Sequence, residues 1–219
     1  MSTAGTAVLE RDTPRRPPRP PQGGGDPPRP PQGGARAPAV ANGMLAILAF
    51  IVFESMLFAG LMGGFSVLRF GSKLWPPPGQ PYLPLAITWV NTFVLLGSLV
   101  PLTLAGRALR RGEARRFLAH LALTALLGAL FLAIQGTEWL RLLAHGMKVV
   151  NGVYGGMFLM LIGTHGLHVL GAVVWLVVLA GLAATGRLRA PAPALRIAAT
   201  YWWFVCAVWI ALFGLVYLA

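Results

Sequence analysis

Five long apolar stretches, almost free of charged residues, dominate this 219-residue sequence. Each meets the requirement of roughly 20 apolar residues for a helix that crosses a bilayer. Charged residues make up only 11% of the chain, whereas a soluble domain has about 25%, so they are too few to cover a water-facing surface. The sequence therefore predicts an all-α, polytopic membrane protein, a bundle of five transmembrane helices. The predicted spans are residues 44–67, 84–105, 117–140, 154–183 and 197–218.

Residues 1–42 differ from the rest because Pro, Gly and Arg dominate them, with the near-repeat RPPQGGGDPPRPPQGGAR. Such a segment has almost no apolar side chains to bury and cannot offset the entropy lost on ordering. We therefore predict a disordered cytoplasmic tail over 1–42, followed by a membrane domain over 43–219. The first apolar stretch begins only at Met44 and is long enough to stay in the membrane, so it is not expected to be a signal peptide. A proline-rich docking motif remains the alternative to a tolerated tail.

The basic residues predict the orientation of the chain. If the N-terminus is inside, 14 of the 18 Lys and Arg residues lie on the cytoplasmic side, as the positive-inside rule requires. The sequence thus predicts a multi-pass protein of a bacterial-type cytoplasmic (inner) membrane, with its C-terminus outside. These arginines flank membrane spans, so their charge indicates topology and contact with lipid headgroups, and nucleic acid is not an expected partner. The 14 residues are Arg11, Arg15, Arg16, Arg19, Arg29, Arg36, Arg107, Arg110, Arg111, Arg115, Arg116, Arg187, Arg189 and Arg196.

Polar side chains inside the predicted spans are candidates for function, because a polar group in hydrocarbon is unfavourable unless it has a partner. Glu54 lies ten residues into the first span, about 15 Å deep at 1.5 Å per residue. His165 and His168 reach a similar depth from the opposite side and share one face of the fourth span. Gln135 and Glu138 share a face of the third span, nearer its outer end.

The histidines could in principle hold a metal or haem, but the sequence does not supply the rest of such a site. His120 and His145 lie near opposite membrane surfaces, and Cys206 is the only cysteine. No metal site and no redox centre of its own are therefore expected. We expect both histidines to be hydrogen-bonded by Glu54, Thr164 or backbone. For Glu54 two roles stay open: a structural carboxyl or a proton-handling group. Its expected partner on the fourth span is His165, or else His168.

Glycines also recur in the first and fourth spans, where they predict close approach of neighbouring helices. They are Gly60, Gly64, Gly152, Gly156, Gly163, Gly166 and Gly171.

Taken together, several segments resemble subunit III of the haem–copper oxidases. Phe50-Ile-Val-Phe-Glu-Ser-Met-Leu-Phe-Ala-Gly60 resembles the glutamate-bearing helix of that family, and Gly163-Thr-His-Gly-Leu-His-Val-Leu170 is the most specific match. The resemblance covers residues 44–219. Other matching positions, in family order, are Trp75-Pro76-Pro77, Asn91, Thr92, Leu95, Leu96, Phe131, Leu132, Gln135, Glu138, Trp139, Gly163, Thr164, Gly166, Tyr201, Trp202, Phe204, Val205 and Trp209.

The resemblance implies a non-catalytic subunit III of an aa3-type cytochrome c oxidase, a proton-pumping complex of the respiratory chain. In that family haem and copper belong to partner subunits. Subunit III packs against subunit I, with subunit II and further respiratory subunits in the complex. It binds structural phospholipid in a cleft and supports sustained proton uptake while oxygen is reduced to water. A haem–copper quinol oxidase and a nitric oxide reductase contain similar subunits, and a stand-alone transporter or lipid-binding membrane protein is an alternative of another class.

Two features qualify the resemblance. The chain is similar to the shorter five-helix form of the family, without the two extra N-terminal helices of the seven-helix form. Where the family usually has Tyr-Trp-His-Phe-Val-Asp, this chain has Trp203 in place of the His and Cys206 in place of the Asp. No polar role can be transferred to these two positions.

Overall fold

A computed structural model describes residues 37–72, 85–144 and 153–218. These residues are helical apart from short connections. They include five helical segments long and apolar enough to cross a membrane, of which the second, Leu85–Arg110, contains two of the helices named below. The prediction of an all-α, five-span protein is therefore confirmed. The helices are α1 (Ala37–Gly71), α2 (Leu85–Gly97), α3 (Leu99–Arg110), α4 (Ala114–Ala144), α5 (Val153–Ala184) and α6 (Pro191–Phe213), and a π-helical turn (Gly214–Leu218) follows α6.

The helices extend beyond the apolar stretches from which they were predicted, because hydropathy detects only the part that matches hydrocarbon. α1 begins at Ala37, so residues 37–42, predicted as part of the tail, are helical. Pro38 is compatible with this start, since the first turn of a helix does not use its backbone N–H groups. Residues 1–36, the Trp75-Pro76-Pro77 segment and His145 lie outside the described residues.

The predicted second span consists of two helices, α2 and α3, separated at Ser98. Pro101, three residues later, has no backbone N–H to donate to the carbonyl of Gly97, and its ring crowds that carbonyl. The Ser98 hydroxyl instead donates to the carbonyl oxygen of Leu95 at 2.5 Å. The break is therefore a one-residue interruption of the second span next to a proline, which the hydropathy pattern did not predict.

Two glycines make the short connections on the arginine-rich side. Gly112 and Gly186 have φ of 72° and 68°, which favours glycine because it has no Cβ. After α3, the Glu113 N–H donates to the Ala108 carbonyl at 3.0 Å. After α5, the Arg187 N–H donates to the Leu182 carbonyl at 2.9 Å. Both turns are Schellman motifs that satisfy the last carbonyls of their helices and reverse the chain within a few residues.

The interior of the bundle lies between α4, α5 and α6, with α2 and α3 packed against α4 and α6. Its largest fully buried side chains are aromatic, among them Trp202, Trp209, Phe58 and Phe131. α1 packs mainly against α5 and α6. Only 17% of the most apolar window of α1 is buried, compared with 56% for the span that begins at Pro191. α1 thus presents most of its apolar surface outward, yet it contributes the buried side chain of Glu54 inward.

Candidate functional site

A buried pair of ionisable residues joins α1 to α5. Glu54 Oε2 lies 2.5 Å from His168 Nε2, and the two side chains are only 7% and 15% exposed. The contact falls short of the directional geometry of a hydrogen bond, so we describe it as a close charge pairing. Its atoms are nevertheless within the distance at which proton position and charge are strongly coupled.

The second imidazole nitrogen of His168, Nδ1, carries a hydrogen, as its contact with Thr164 shows. Nδ1 lies 2.6 Å from the Thr164 carbonyl oxygen, and a carbonyl can only accept, so Nδ1 carries a hydrogen. If Nε2 were unprotonated and Glu54 ionised, two electron-rich atoms with no hydrogen between them would lie 2.5 Å apart, which is unfavourable in a buried site. The pair must therefore contain a proton, either on the carboxyl or on the imidazole. In both forms its net charge is zero, which is the condition for placing it in a membrane interior.

His165 has a different environment, although it lies one turn away on the same helix. Its ring stacks on Trp209 at 5.3 Å between centroids and makes edge contacts with Phe131 and Phe58, both at 6.2 Å. The residue is 1% exposed. Within the described part of the chain, neither ring nitrogen has a hydrogen-bond partner. His165 is therefore an aromatic element of the core at the junction of α1, α4, α5 and α6.

These contacts correct two predictions. The partner of Glu54 on α5 is His168 and not His165, and His165 is not satisfied by Glu54, Thr164 or backbone. The reason is angular: residues three apart on a helix point about 60° apart around its axis. His168 points toward α1, while His165 points toward the aromatic side chains of α4 and α6. Depth alone predicted the correct helix pair but could not separate the two histidines.

A second group of polar side chains connects α2, α4 and the C-terminal π-helical turn. The Asn91 amide Nδ2 donates to the Phe131 carbonyl at 3.2 Å and to Gln135 Oε1 at 3.3 Å. Gln135 Nε2 in turn donates to the Tyr217 hydroxyl at 3.4 Å. Asn91 and Gln135 are buried, so these bonds hold the spans at a fixed register.

Two indole N–H groups of α6 bind the α2–α3 span. Trp202 Nε1 donates to the Ser98 hydroxyl at 2.9 Å, and Trp209 Nε1 donates to the Thr92 hydroxyl at 3.0 Å. The Thr92 hydroxyl itself donates to the Thr88 carbonyl at 2.8 Å. The motif residues Asn91, Thr92 and Trp202 thus form contacts between helices.

The sequence could have shown more of this network than we predicted. Thr88, Asn91 and Thr92 lie at the i, i+3 and i+4 positions of an otherwise apolar span and share a helix face. A polar stripe of this kind in a membrane helix predicts a protein-facing side. Tyr217 gave no such signal, because a tyrosine near the end of a span equally suits the membrane interface.

The remaining predicted residues have separate environments. The Glu138 carboxylate is buried and accepts from Arg141 at 3.2 Å.

Two of the predicted glycines are in close contact with a neighbouring helix. A Cβ added to Gly166 would lie 2.7 Å from the Trp139 ring, and a Cβ added to Gly64 would be similarly close to Met157. Gly60, Gly163 and Gly171 have open space instead, so the prediction of close approach is wrong at these three positions. Tyr201 and Cys206 are buried, and Trp203 is 51% exposed.

Within the described residues, no group of three or more His, Cys, Asp or Glu side chains could hold a metal ion. Glu54 and His168 can hold and exchange a proton, and they can tie α1 to α5. The polar groups of α2, α4 and α6 provide directional contacts between helices.

Comparison with known proteins gives one family. Residues 31–219 match the family model of cytochrome c oxidase subunit III. The chain is 36% identical over 174 residues to cytochrome c oxidase subunit 3 of Corynebacterium diphtheriae, covering 78% of this chain and 84% of the relative. It is 32% identical over 182 residues to that of Thermostichus vulcanus, covering 80% and 86%. It is 34% identical over 188 residues to that of Oryctolagus cuniculus, covering 82% and 71%.

Proposed function

This chain belongs to the cytochrome c oxidase subunit III family, and we propose that it is the non-catalytic subunit III of an aa3-type oxidase. In this role it stabilises the haem- and copper-bearing subunit I, binds structural phospholipid and supports sustained proton uptake during oxygen reduction. The observation on which the proposal depends is the match over residues 31–219, which includes every described span. The relatives are named for cytochrome c, which favours cytochrome c over quinol as the electron donor of the complex.

The outer face of α1 supports a role in assembly. Leu45, Phe53 and Met56 are 67–71% exposed, and they lie on the span that buries the smallest share of its surface. A face of this kind needs either lipid or another membrane subunit to cover it. The buried pair Glu54–His168 attaches this helix to the rest of the bundle. A partner that binds α1 would therefore be coupled to the bundle through this ionisable contact as well as through packing against α5 and α6.

The same pair supports the proposed link to proton uptake. It contains an exchangeable proton that can move between carboxyl and imidazole without changing the net charge of the membrane interior. This suits a group that supplies or buffers protons at the edge of a proton-pumping partner. It also suits a purely structural clamp, and a comparison of initial rate with working lifetime separates the two roles.

For the whole protein we propose a location in a bacterial-type cytoplasmic membrane, with the N-terminus cytoplasmic and the C-terminus outside. The distribution of arginines supports this orientation.

Affinity purification of the tagged chain from its native membrane in mild detergent tests the proposal. We expect haem a absorbance in the reduced-minus-oxidised spectrum, subunits I and II among the co-purified chains, and oxygen consumption with reduced cytochrome c. A preparation from which the chain has been deleted should start at a similar rate and lose activity sooner. An unrelated five-span protein with the same tag is the control.

Two outcomes would contradict the proposal. Recovery of the chain alone, with no haem protein in the preparation, would exclude an oxidase subunit. Oxygen consumption with a quinol and none with reduced cytochrome c would assign the chain to a quinol oxidase instead.

A further inference from the structure

A groove of about 470 Å³ lies between α3 and the first half of α6. Three arginines line it: Arg107 and Arg110 from the end of α3, and Arg196 from the first two turns of α6. All three side chains are exposed. Thr103, Arg107 and Arg110 lie at i, i+4 and i+7 along α3, so one face of that helix is directed into the groove. On α6, one helix face likewise lines the groove, through Arg196, Ala199 and Trp203 at i, i+3 and i+7.

The charge of this groove is not neutralised by the acidic side chains that the structure describes. There are three, and each pairs elsewhere: Glu54 with His168, Glu113 with Arg116 at 2.9 Å, and Glu138 with Arg141. No described residue that lines the groove is acidic. Three guanidinium groups within one groove therefore favour an anion, and arginine forks suit phosphate in particular.

The groove continues from the arginines into the apolar part of the bundle. Arg196 and Trp203 are seven residues apart on α6, which corresponds to about 10 Å along the helix axis. Leu102 and Ala199 line this deeper part together with Trp203. A half-exposed tryptophan below a cluster of arginines is the arrangement found where a headgroup meets its acyl chains. A free phosphate ion would use only the arginine end.

We propose that this groove is a specific site for an anionic phospholipid, with the phosphate held by Arg107, Arg110 and Arg196 and an acyl chain along Trp203. The site deepens the proposed function, on which it rests, because it assigns one structural lipid to the α3–α6 groove of this chain. It differs from general attraction of basic loops to the membrane, since only three of the eight described arginines on this side line the groove.

The test uses the whole purified complex, exchanged into neutral detergent and titrated with phosphatidylglycerol or with phosphatidylcholine. The triple substitution R107Q/R110Q/R196Q should weaken phosphatidylglycerol binding on the order of 100-fold, at about fivefold per arginine, and leave phosphatidylcholine binding unchanged. The matched control, R115Q/R187Q/R189Q, removes the same charge from exposed arginines of this side that do not line the groove. It should bind phosphatidylglycerol as the unaltered complex does.

Trp203→Ala distinguishes a lipid from a free phosphate ion. It should weaken phosphatidylglycerol binding several-fold, while excess inorganic phosphate should not displace the lipid from the unaltered complex. If the triple variant fails to assemble, the three single variants R107Q, R110Q and R196Q are measured instead, each with an expected fivefold effect.

Equal loss of phosphatidylglycerol in the control and the groove variant would show charge-dependent membrane attraction and overturn the site. Equal binding in the unaltered complex and the groove variant would overturn it as well. In both cases the chain still co-purifies with haem protein, so the proposed function would stand. Purification of the chain without haem protein would instead contradict the proposed function whatever lipid is bound.

Discussion

At the scale of single residues, the pairing of Glu54 with His168 determines the net charge inside the membrane. An unpaired charge at this depth would cost at least about 2.5 kcal/mol by insertion scales. The pair avoids this cost by containing one proton and no net charge. His168 is held in place by its Nδ1 hydrogen bond to the Thr164 carbonyl at 2.6 Å, so its other nitrogen faces α1 in a fixed direction. The pair is therefore preorganised from the α5 side.

Substitution of Glu54 should distinguish structural from proton-handling roles. Glu54→Gln keeps the shape and a polar contact with His168, so we expect a mild effect. Glu54→Ala leaves a buried imidazole without its partner and should destabilise the subunit by about 1–3 kcal/mol. It should shorten the working lifetime of the oxidase more than it lowers the initial rate. Leu126→Ala, at an exposed position of α4, is the control. An initial rate abolished by Glu54→Gln, with the subunit still bound, would assign an obligatory proton role.

The two histidines should respond differently to the same substitution. His165 contributes its ring to a stack with Trp209, so His165→Phe retains most of its packing and should change stability by less than about 1.5 kcal/mol. His168→Phe removes the partner of a buried carboxyl and should destabilise the subunit by about 1–3 kcal/mol. Thermal unfolding of the purified complex and retention of the subunit in detergent measure both. Equal effects would contradict the assignment of His168 as the partner.

At the scale of helices, α6 contacts the α2–α3 span through buried hydrogen bonds, one of them at the break between α2 and α3. Ser98, at the break between α2 and α3, provides the hydroxyl that accepts from Trp202, and Gly128 of α4 provides the space for the same indole. A Cβ at Gly128 would overlap the Trp202 ring and would lie 2.7 Å from Val173. The close approach of α4 and α6 at this point thus depends on Gly128 facing Trp202.

Gly128→Ala should therefore destabilise the bundle by about 1–3 kcal/mol through overpacking. Gly136→Ala on the same helix has open space around the added methyl group and should be neutral or stabilising by up to about 1 kcal/mol, since alanine favours the helix. Loss of tryptophan fluorescence on heating, measured for both variants in the same detergent, makes the comparison. Equal midpoints for the two variants would contradict the proposed role of Gly128.

The sequence predicted the helices of this protein better than it predicted their contacts. The five spans follow from apolar length alone, because the bilayer sets that length. The break at Ser98 was missed since hydropathy does not register how Pro101 removes one backbone hydrogen bond. Glu54 and the fourth span were correctly paired by depth, yet His168 could not be chosen over His165 without the rotation of α5. The Asn91–Gln135–Tyr217 contacts join three distant segments, and their register depends on packing that the pattern of a single helix does not contain.

At the scale of the whole molecule, the N-terminal segment is expected to be dispensable. Its composition offers little apolar surface to bury. Deletion of residues 1–36, which stops just before α1 begins at Ala37, should leave assembly and turnover nearly unchanged. The amount of the chain in the purified complex and the rate of oxygen consumption measure this. Loss of the subunit after the deletion would instead identify the tail as a docking element.

The orientation of the bundle can be tested with the chain's own cysteine content. Cys206 is the only cysteine and is 1% exposed, so the unaltered chain should give almost no reaction with a membrane-impermeant maleimide. Ser72→Cys and Thr185→Cys each introduce one thiol at an exposed position. The first follows α1 and the second follows α5, on opposite sides of the membrane for a chain that crosses once with each span.

If the arginine-rich connections are cytoplasmic, Thr185→Cys should be labelled in inverted vesicles and protected in intact cells. Ser72→Cys should show the reverse pattern, labelled in cells and protected in inverted vesicles. The unaltered chain measures the background from Cys206, and detergent-permeabilised samples show that both introduced thiols can react. Labelling of Thr185→Cys in intact cells would contradict the predicted topology, and it would place the α3–α6 groove on the outer leaflet without changing the residues that line it.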